Sequence, residues 1–175
     1  MKYFVKIIVI TYLIFGINNV FADDKLVVYL DMTLVLNKSL AGSKAQKELT
    51  KIHKENLKNF KDTEEKLRKE EKDLLSKRNV MEKEEFAKKI QTLREKAQKY
   101  QNERKVKIQE VSNKRLEARN KLLDSLQPLL ADFSAKNKIS IIVDKKNIII
   151  GETNLDITDE ILEEFNKKLP SIKLN

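Results

Sequence analysis

Apolar residues in the middle of the chain recur at helical spacing over a long stretch. Between residues 43 and 127 there is no Gly or Pro. Gly costs about 1 kcal/mol and Pro about 3 kcal/mol in a helix interior, so their exclusion predicts helix throughout. Apolar steps of three, four and seven residues predict one stripe that faces a partner helix. The stripe has three sections: Phe60, Leu67, Leu74 and Met81; Phe86, Ile90, Leu93, Ala97 and Tyr100; and Ile108, Val111, Ala118, Leu122 and Leu126.

The stripe loses its phase between residues 76 and 83. Two structures fit this break. One is a stutter in a single helix about 128 Å long, at about 1.5 Å per residue. The other is a tight reversal that produces an antiparallel helical hairpin with its tip near 76–83. Thr63, Arg104 and Arg115 interrupt the stripe, so the coiled-coil signal is weak.

Short runs rich in Val and Ile favour the reversal. Residues 25–30, 138–144 and 147–151 are predicted strands, the last two joined as a β-hairpin through 144–147. Isolated strands are barely stable in water. A reversal near Asn79 brings all three together, with Val28 and Ile142 as close neighbours, whereas an unbroken rod separates them.

The remaining segments complete the expected body. Residues 32–40 are ambiguous and suit a short helix, punctuated by Gly42. Pro128 is expected to break the long helix, with a short helix over 129–136 after it. The acids of 156–160 suit the start of a last helix, which runs to about Lys168 and is ended by Pro170.

The predicted fold class is α+β, a small β-rich trimerisation body with a long antiparallel helical hairpin. The body is assigned to 23–42 and 128–175 and the arm to 43–127. Three strands leave two open edges, and such edges invite pairing with another copy of the chain. The candidate oligomerisation residues are Leu26, Val28, Leu30, Ile141, Val143 and Ile149.

The first 22 residues have the pattern of a secretory signal peptide. Lys2 and Lys6 precede an apolar run over 7–17, and Ala22 supplies a small residue at the cleavage position. The alternative is an uncleaved anchor, but a spanning helix needs about 20 apolar residues. We therefore expect cleavage after Ala22 and export to the periplasm. With no Cys, the chain has neither a lipoprotein signal nor a disulfide.

The charge of the chain is concentrated in the predicted arm. Residues 43–127 hold 25 Lys and Arg against 16 Asp and Glu, while the whole chain has a formal net charge of +9. Such a basic excess can bind nucleic acid, but export removes that partner. Anionic lipid, including lipopolysaccharide, is a more suitable partner for the charge.

No catalytic or cofactor-binding constellation is present. His53 is the only histidine, and with no Cys a zinc site is not expected. The three glycines, Gly16, Gly42 and Gly151, cannot form a phosphate-binding loop. We expect neither an enzyme nor a cofactor-dependent protein.

The order of these segments resembles the Skp/OmpH family of periplasmic chaperones. The similarity lies in Leu-Val-Val-Tyr-Leu-Asp at 26–31, Leu-Ala-Gly-Ser-Lys-Ala-Gln-Lys-Glu-Leu at 40–49 and the charged helical pair. Ile-Ile-Val-Asp-Lys-Lys-Asn-Ile-Ile-Ile at 141–150 and Leu-Asp-Ile-Thr-Asp-Glu-Ile-Leu at 155–162 complete it.

The resemblance implies a homotrimer whose helical hairpins hang around a cavity. It implies an ATP-independent holdase that sequesters unfolded outer-membrane proteins there. The alternative is a structural coiled-coil envelope protein, or an adaptor for a fixed partner or anionic lipid. The arm stripe gives the candidate client contacts, although such residues more often only hold two helices together: Phe60, Leu67, Leu74, Met81, Phe86, Ile90 and Leu93.

Overall fold

A computed structural model describes residues 26–174 of the chain. The predicted signal peptide, residues 1–22, and its cleavage site after Ala22 lie outside the described residues. The elements in chain order are β1 (Leu26–Leu30), α1 (Met32–Lys38), α2 (Leu40–Ser76), α3 (Lys83–Asn137), β2 (Ile139–Asp144) and α4 (Thr158–Lys168). The predicted α+β class with a long helical hairpin is confirmed.

The chain reverses between α2 and α3, as the phase break predicted. The backbone N–H of Lys77 donates to the carbonyl of Leu74 (3.2 Å), and Met81 donates to the carbonyl of Lys77 (3.1 Å). These bonds close the turn at the tip, and the two helices pack along each other back to the body. Val28 and Ile142 are paired residues of one sheet, which confirms the predicted neighbourhood.

The sheet differs from the predicted three strands. It has two strands, β1 and β2, which pair in parallel with an irregularity between Leu26 and Val27. The predicted β-hairpin is wrong, because 145–147 form a 3-10 turn and 148–151 form no strand. The Asp144 carboxylate accepts from the backbone N–H of Lys146 (3.2 Å), and this local bond turns the chain away from β2 where a glycine turn would have reversed it.

A single backbone contact extends the other edge of β1. Tyr29 forms an isolated parallel bridge with Asp156, and the N–H of Ile157 donates to the carbonyl of Tyr29 (3.0 Å). The Asp156 carboxylate then accepts from the backbone N–H of Thr158 (3.1 Å) and from its hydroxyl. The segment before α4 therefore contacts the edge of β1 that faces away from β2, and Asp156 supports the start of α4 as predicted.

The charge of Asp156 is stabilised by its neighbours. Burial by itself raises the pKa of this carboxyl, but the hydrogen bonds from Lys145 and Thr158 together hold the pKa below its ordinary value of 3.8. Lys145 lies 2.7 Å from the carboxylate. The same ammonium lies 5.8 Å from the centre of the Tyr29 ring, so Lys145 ties the turn after β2 to β1.

The predicted helix break at Pro128 is wrong, and so is the separate helix over 129–136. α3 continues through Pro128 to Asn137. Proline removes the hydrogen bond to the carbonyl four residues earlier, which here belongs to Asp124. Asp124 and Pro128 are both exposed, so water can hydrate that carbonyl. Leu126 and Leu129, on the opposite side, are buried in the core and hold the helix in place.

The entry to the arm is a sharp junction between α1 and α2. Ser39 ends α1 and begins α2, and its hydroxyl accepts from the N–H of Gly42 (3.1 Å). The break therefore lies at Ser39, three residues before the predicted punctuation, and Gly42 belongs to α2. A Cβ at Gly42 would lie 1.8 Å from the carbonyl oxygen of Leu36. Only glycine permits this close approach.

One apolar core joins the sheet, the short helices and the base of the arm. It is centred on fully buried side chains from four elements, which are Leu30, Val35, Leu126, Ile161 and Phe165. Within residues 26–174, no helix is long and apolar enough to cross a membrane.

Candidate functional site

The predicted client-contact residues lie along the seam between α2 and α3. Leu74 is buried, and the other six are partly buried. They therefore hold the two helices together, which is the commoner role of such a stripe. Ile108, which the periodicity placed in the seam, is 54% exposed. In this part of α3 the positions that face α2 are seven residues apart, at Arg104, Val111 and Ala118. Ile108 therefore lies at the side of the interface.

The seam is also reachable from shallow grooves on the arm. A groove of ≈ 320 Å³ near the tip includes Leu74, Met81 and Leu93 in its lining. A second, of ≈ 430 Å³, includes Leu67 and Ile90. Two helices alone cannot cover every apolar atom at their interface, so the seam offers apolar surface to a third chain.

A polar cluster opens the seam midway along the arm. The Arg104 guanidinium lies 3.6 Å from the Glu64 carboxylate and 5.7 Å from the centre of the Phe60 ring. The Tyr100 hydroxyl donates to Glu64 at 2.5 Å. The pKa of Tyr100 is raised, mainly because the hydroxyl is buried and also because it makes this hydrogen bond. Phe60, Tyr100 and Arg104 also line a groove of ≈ 860 Å³ on the surface of the arm.

A second set of apolar residues lies on the outside of the arm. Each of its members is at least half exposed, and Val80 at the tip is 85% exposed. Helical periodicity does not reveal most of them, because they are out of phase with the apolar stripe. In the sequence they are recognisable as apolar residues that fall outside the stripe and have charged residues around them. We call Leu57, Leu75, Val80, Val106, Ile108 and Leu116 the outer apolar set.

The outer apolar set is embedded in basic surface. Many acids of the arm pair with a lysine on their own helix, as in Lys89–Glu85 (2.6 Å) and Lys107–Glu110 (2.8 Å). Such exposed pairs are worth about 0.3–0.5 kcal/mol. Since the arm has more bases than acids, its field attracts acidic chains within about 8–10 Å at physiological salt.

The candidate oligomerisation residues divide into two groups. Val28 and Leu30 are buried in the chain's own core at 4% and 1% exposure, and Val143 is partly buried. Leu26, Ile141 and Ile149 are 38%, 54% and 99% exposed. The adjacent Ile150, which the sequence analysis did not single out, is 91% exposed. The apolar surface available to another copy therefore lies on β2 and the segment after it.

No group of His, Cys, Asp and Glu that could hold a metal ion occurs within residues 26–174. The surfaces found in this part of the chain are apolar and charged contact surfaces, with geometry suited to binding another macromolecule.

This architecture is similar to that of a solved structure. A crystal structure of a protein described as an OmpH-like outer membrane chaperone, from Caulobacter crescentus CB15, aligns with a TM-score of 0.80. It shares 18% sequence identity and covers 86% of this chain and 89% of that chain, so the fold is shared. Among curated proteins, no sequence matches the chain.

Residues 26–165 match the family described as Outer membrane protein (OmpH-like). The chain belongs to this OmpH-like family, as the sequence resemblance predicted, and a chaperone role in the broad sense follows from that membership.

Proposed function

We propose that the protein is an ATP-independent periplasmic holdase that sequesters unfolded outer-membrane proteins between its helical arms. Three chains associate through their bodies, so three arms surround one cavity. The first 22 residues direct export and are removed after Ala22. The client is held there, apart from other unfolded chains, until it is delivered.

The observation that supports this proposal is the outer apolar set within a basic surface. Unfolded β-barrel chains expose alternating apolar and polar residues and aggregate through them. Scattered apolar side chains contact such a chain at many points, and each contact is weak. Long-range attraction by the surplus bases raises the rate of encounter with acidic clients. No single pocket is required, so clients of many sequences fit.

The test is a light-scattering assay with an unfolded outer-membrane β-barrel protein diluted from urea. We expect full suppression of aggregation at about one chaperone trimer per client, with weaker suppression at high salt. Replacing four members of the outer apolar set by serine should reduce the suppression at least several-fold, since half-exposed side chains contribute little to the fold. These four are Leu57, Val106, Ile108 and Leu116.

The control variant replaces four exposed polar residues of the same helices by serine, which introduces the same number of serines without removing apolar contacts. These are Gln46, Asn59, Gln101 and Asn120. Equal suppression by both variants would contradict the proposal. An adaptor for a fixed partner should ignore unrelated unfolded barrels, so a panel of different barrel clients separates the two functions.

A further inference from the structure

The last residues of the described chain form a strap across the root of the arm. After α4 ends at Lys168, residues 169–174 run without helix or strand. Ile172 packs against both the body core and a small cluster at the arm root, and Leu174 packs against that second cluster. The cluster consists of Ala45 and Leu49 from α2 and Ala118 from α3. We call these three residues the root groove and residues 169–174 the tail.

Two lysines hold the backbone of the tail. Lys44 of α2 donates to the carbonyl oxygen of Pro170 (3.1 Å), and Lys121 of α3 donates to that of Lys173 (2.9 Å). Every residue has a backbone carbonyl, so these bonds require no particular tail sequence. They require an extended chain whose carbonyls are not engaged in a helix.

The apolar contacts of the tail have the same generality. Ile172 and Leu174 are two residues apart, so in an extended chain they point to the same side. Small side chains at Ala45 and Ala118 leave the depression that the two larger side chains cover. The root groove therefore selects an extended segment with apolar residues at alternate positions. Strands of transmembrane β-barrels have this alternation.

We propose that the root groove is a binding site for an extended client segment with alternating apolar residues, and that the chain's own tail occupies it until a client displaces it. The inference rests on the proposed holdase function and adds a defined site to it. A tail without helix or strand opens at low cost compared with the packed helices. Because the tail is a competitor, it lowers the apparent affinity of the groove in proportion to its occupancy.

The experiment measures fluorescence anisotropy of a labelled peptide that alternates leucine and serine. It compares the full chain with a chain that ends at Pro170 and with Leu174→Ser. Leu174 packs on the root groove and not on the body core, so this variant keeps the fold even if the truncation does not. We expect both changes to tighten peptide binding, by about tenfold if the tail fills the groove nine-tenths of the time.

Two controls make the result specific. A peptide of the same composition with its leucines grouped together should bind no better to the altered chains. Lys44→Ala with Lys121→Ala, made in the Leu174→Ser chain, should weaken peptide binding, whereas Lys47→Ala with Lys105→Ala removes the same charge and should not.

Unchanged peptide affinity after both truncation and Leu174→Ser would overturn the inference. The inference would also be overturned if the alternating peptide and the peptide with grouped leucines bound with equal affinity. The light-scattering assay on the same chains separates this failure from that of the proposed function. If the chains suppress client aggregation but do not bind the peptide, only the proposed role of the root groove is refuted. If the unaltered chain does not suppress client aggregation, the proposed holdase function is refuted.

Discussion

Single residues determine where the arm leaves the body. Ser39 ends one helix and starts the next, and its hydroxyl accepts from the backbone of Gly42. The close approach of Gly42 to the carbonyl of Leu36 fixes the angle at which α2 departs. The general preference of helices for alanine over glycine, about 1 kcal/mol, is therefore reversed at this position.

Gly42→Ala should destabilise the body in spite of its higher helix propensity. A Cβ 1.8 Å from a backbone oxygen forces α1 and α2 apart, and we expect a loss of at least about 2 kcal/mol in the free energy of unfolding. Urea unfolding followed by circular dichroism measures this. Lys47→Ala, an exposed change on the same helix, is the control, and a Gly42→Ala chain as stable as this control would show that the junction adjusts freely.

At the scale of the elements, the arm is a helix pair with a polar interruption. Arg104 occupies a seam position opposite Phe60 and Glu64, and its Nε is buried with no hydrogen-bond partner within residues 26–174. The Arg104 and Glu64 side chains are 43% and 49% exposed, and ion pairs this exposed are worth at most about 1 kcal/mol. The groove beside this cluster has a volume of ≈ 860 Å³.

Arg104→Leu should stabilise the hairpin. The leucine continues the series that leads to Val111 and Ala118, and Tyr100 still donates to Glu64. Because the apolar burial gained should exceed the small contribution of the exposed ion pair, we expect a gain of up to about 1 kcal/mol, seen as a higher midpoint in thermal unfolding. Lys105→Leu, at the neighbouring exposed position, should give no such gain. A lower midpoint for Arg104→Leu would mean that the cluster stabilises the arm as it stands.

The periodic elements were predictable from sequence and the local turns were not. Exclusion of Gly and Pro and the three-four spacing identify both long helices, and the loss of phase identifies the reversal between Ser76 and Lys83. The conformation of 147–151 could not be predicted from sequence, because its three isoleucines suit a strand and an exposed contact surface equally. Pro128 failed as a signal because packing of Leu126 and Leu129 overrides its local preference. The outer apolar set was missed because periodicity detects what is buried.

For the whole molecule, one helix belongs to both arm and body. α2 has 37 residues and α3 has 55, which correspond to about 55 Å and 80 Å at about 1.5 Å per residue. The body end of α3 therefore extends beyond its partner, and there Leu126 and Leu129 enter the core. The same helix therefore contributes to the arm interface and to the core of the body.

Self-association should depend on the exposed apolar residues of the body. Ile141→Lys with Ile149→Lys places charge on β2 and on the exposed segment after it, and charges at such a surface oppose association with another copy. If the proposed trimer forms, we expect static light scattering to give a trimer mass for the unaltered chain and a monomer mass for this variant. Thr50→Lys with Gln101→Lys adds the same charge on the arm and should leave the mass unchanged. A double Ile variant that keeps its trimer mass would place the interface elsewhere.

The parallel pairing of β1 with β2 has a consequence for the order of folding. Residues 31–138 separate the two strands, and closing so long a loop is entropically costly unless local structure shortens it first. Formation of the helical hairpin shortens the effective length of this loop. Contacts between its two helices can form progressively from the tip and bring both ends of the loop together. β1, which is synthesised before β2, is thus among the last elements to pair. Until it pairs with β2, its apolar side chains remain exposed to water.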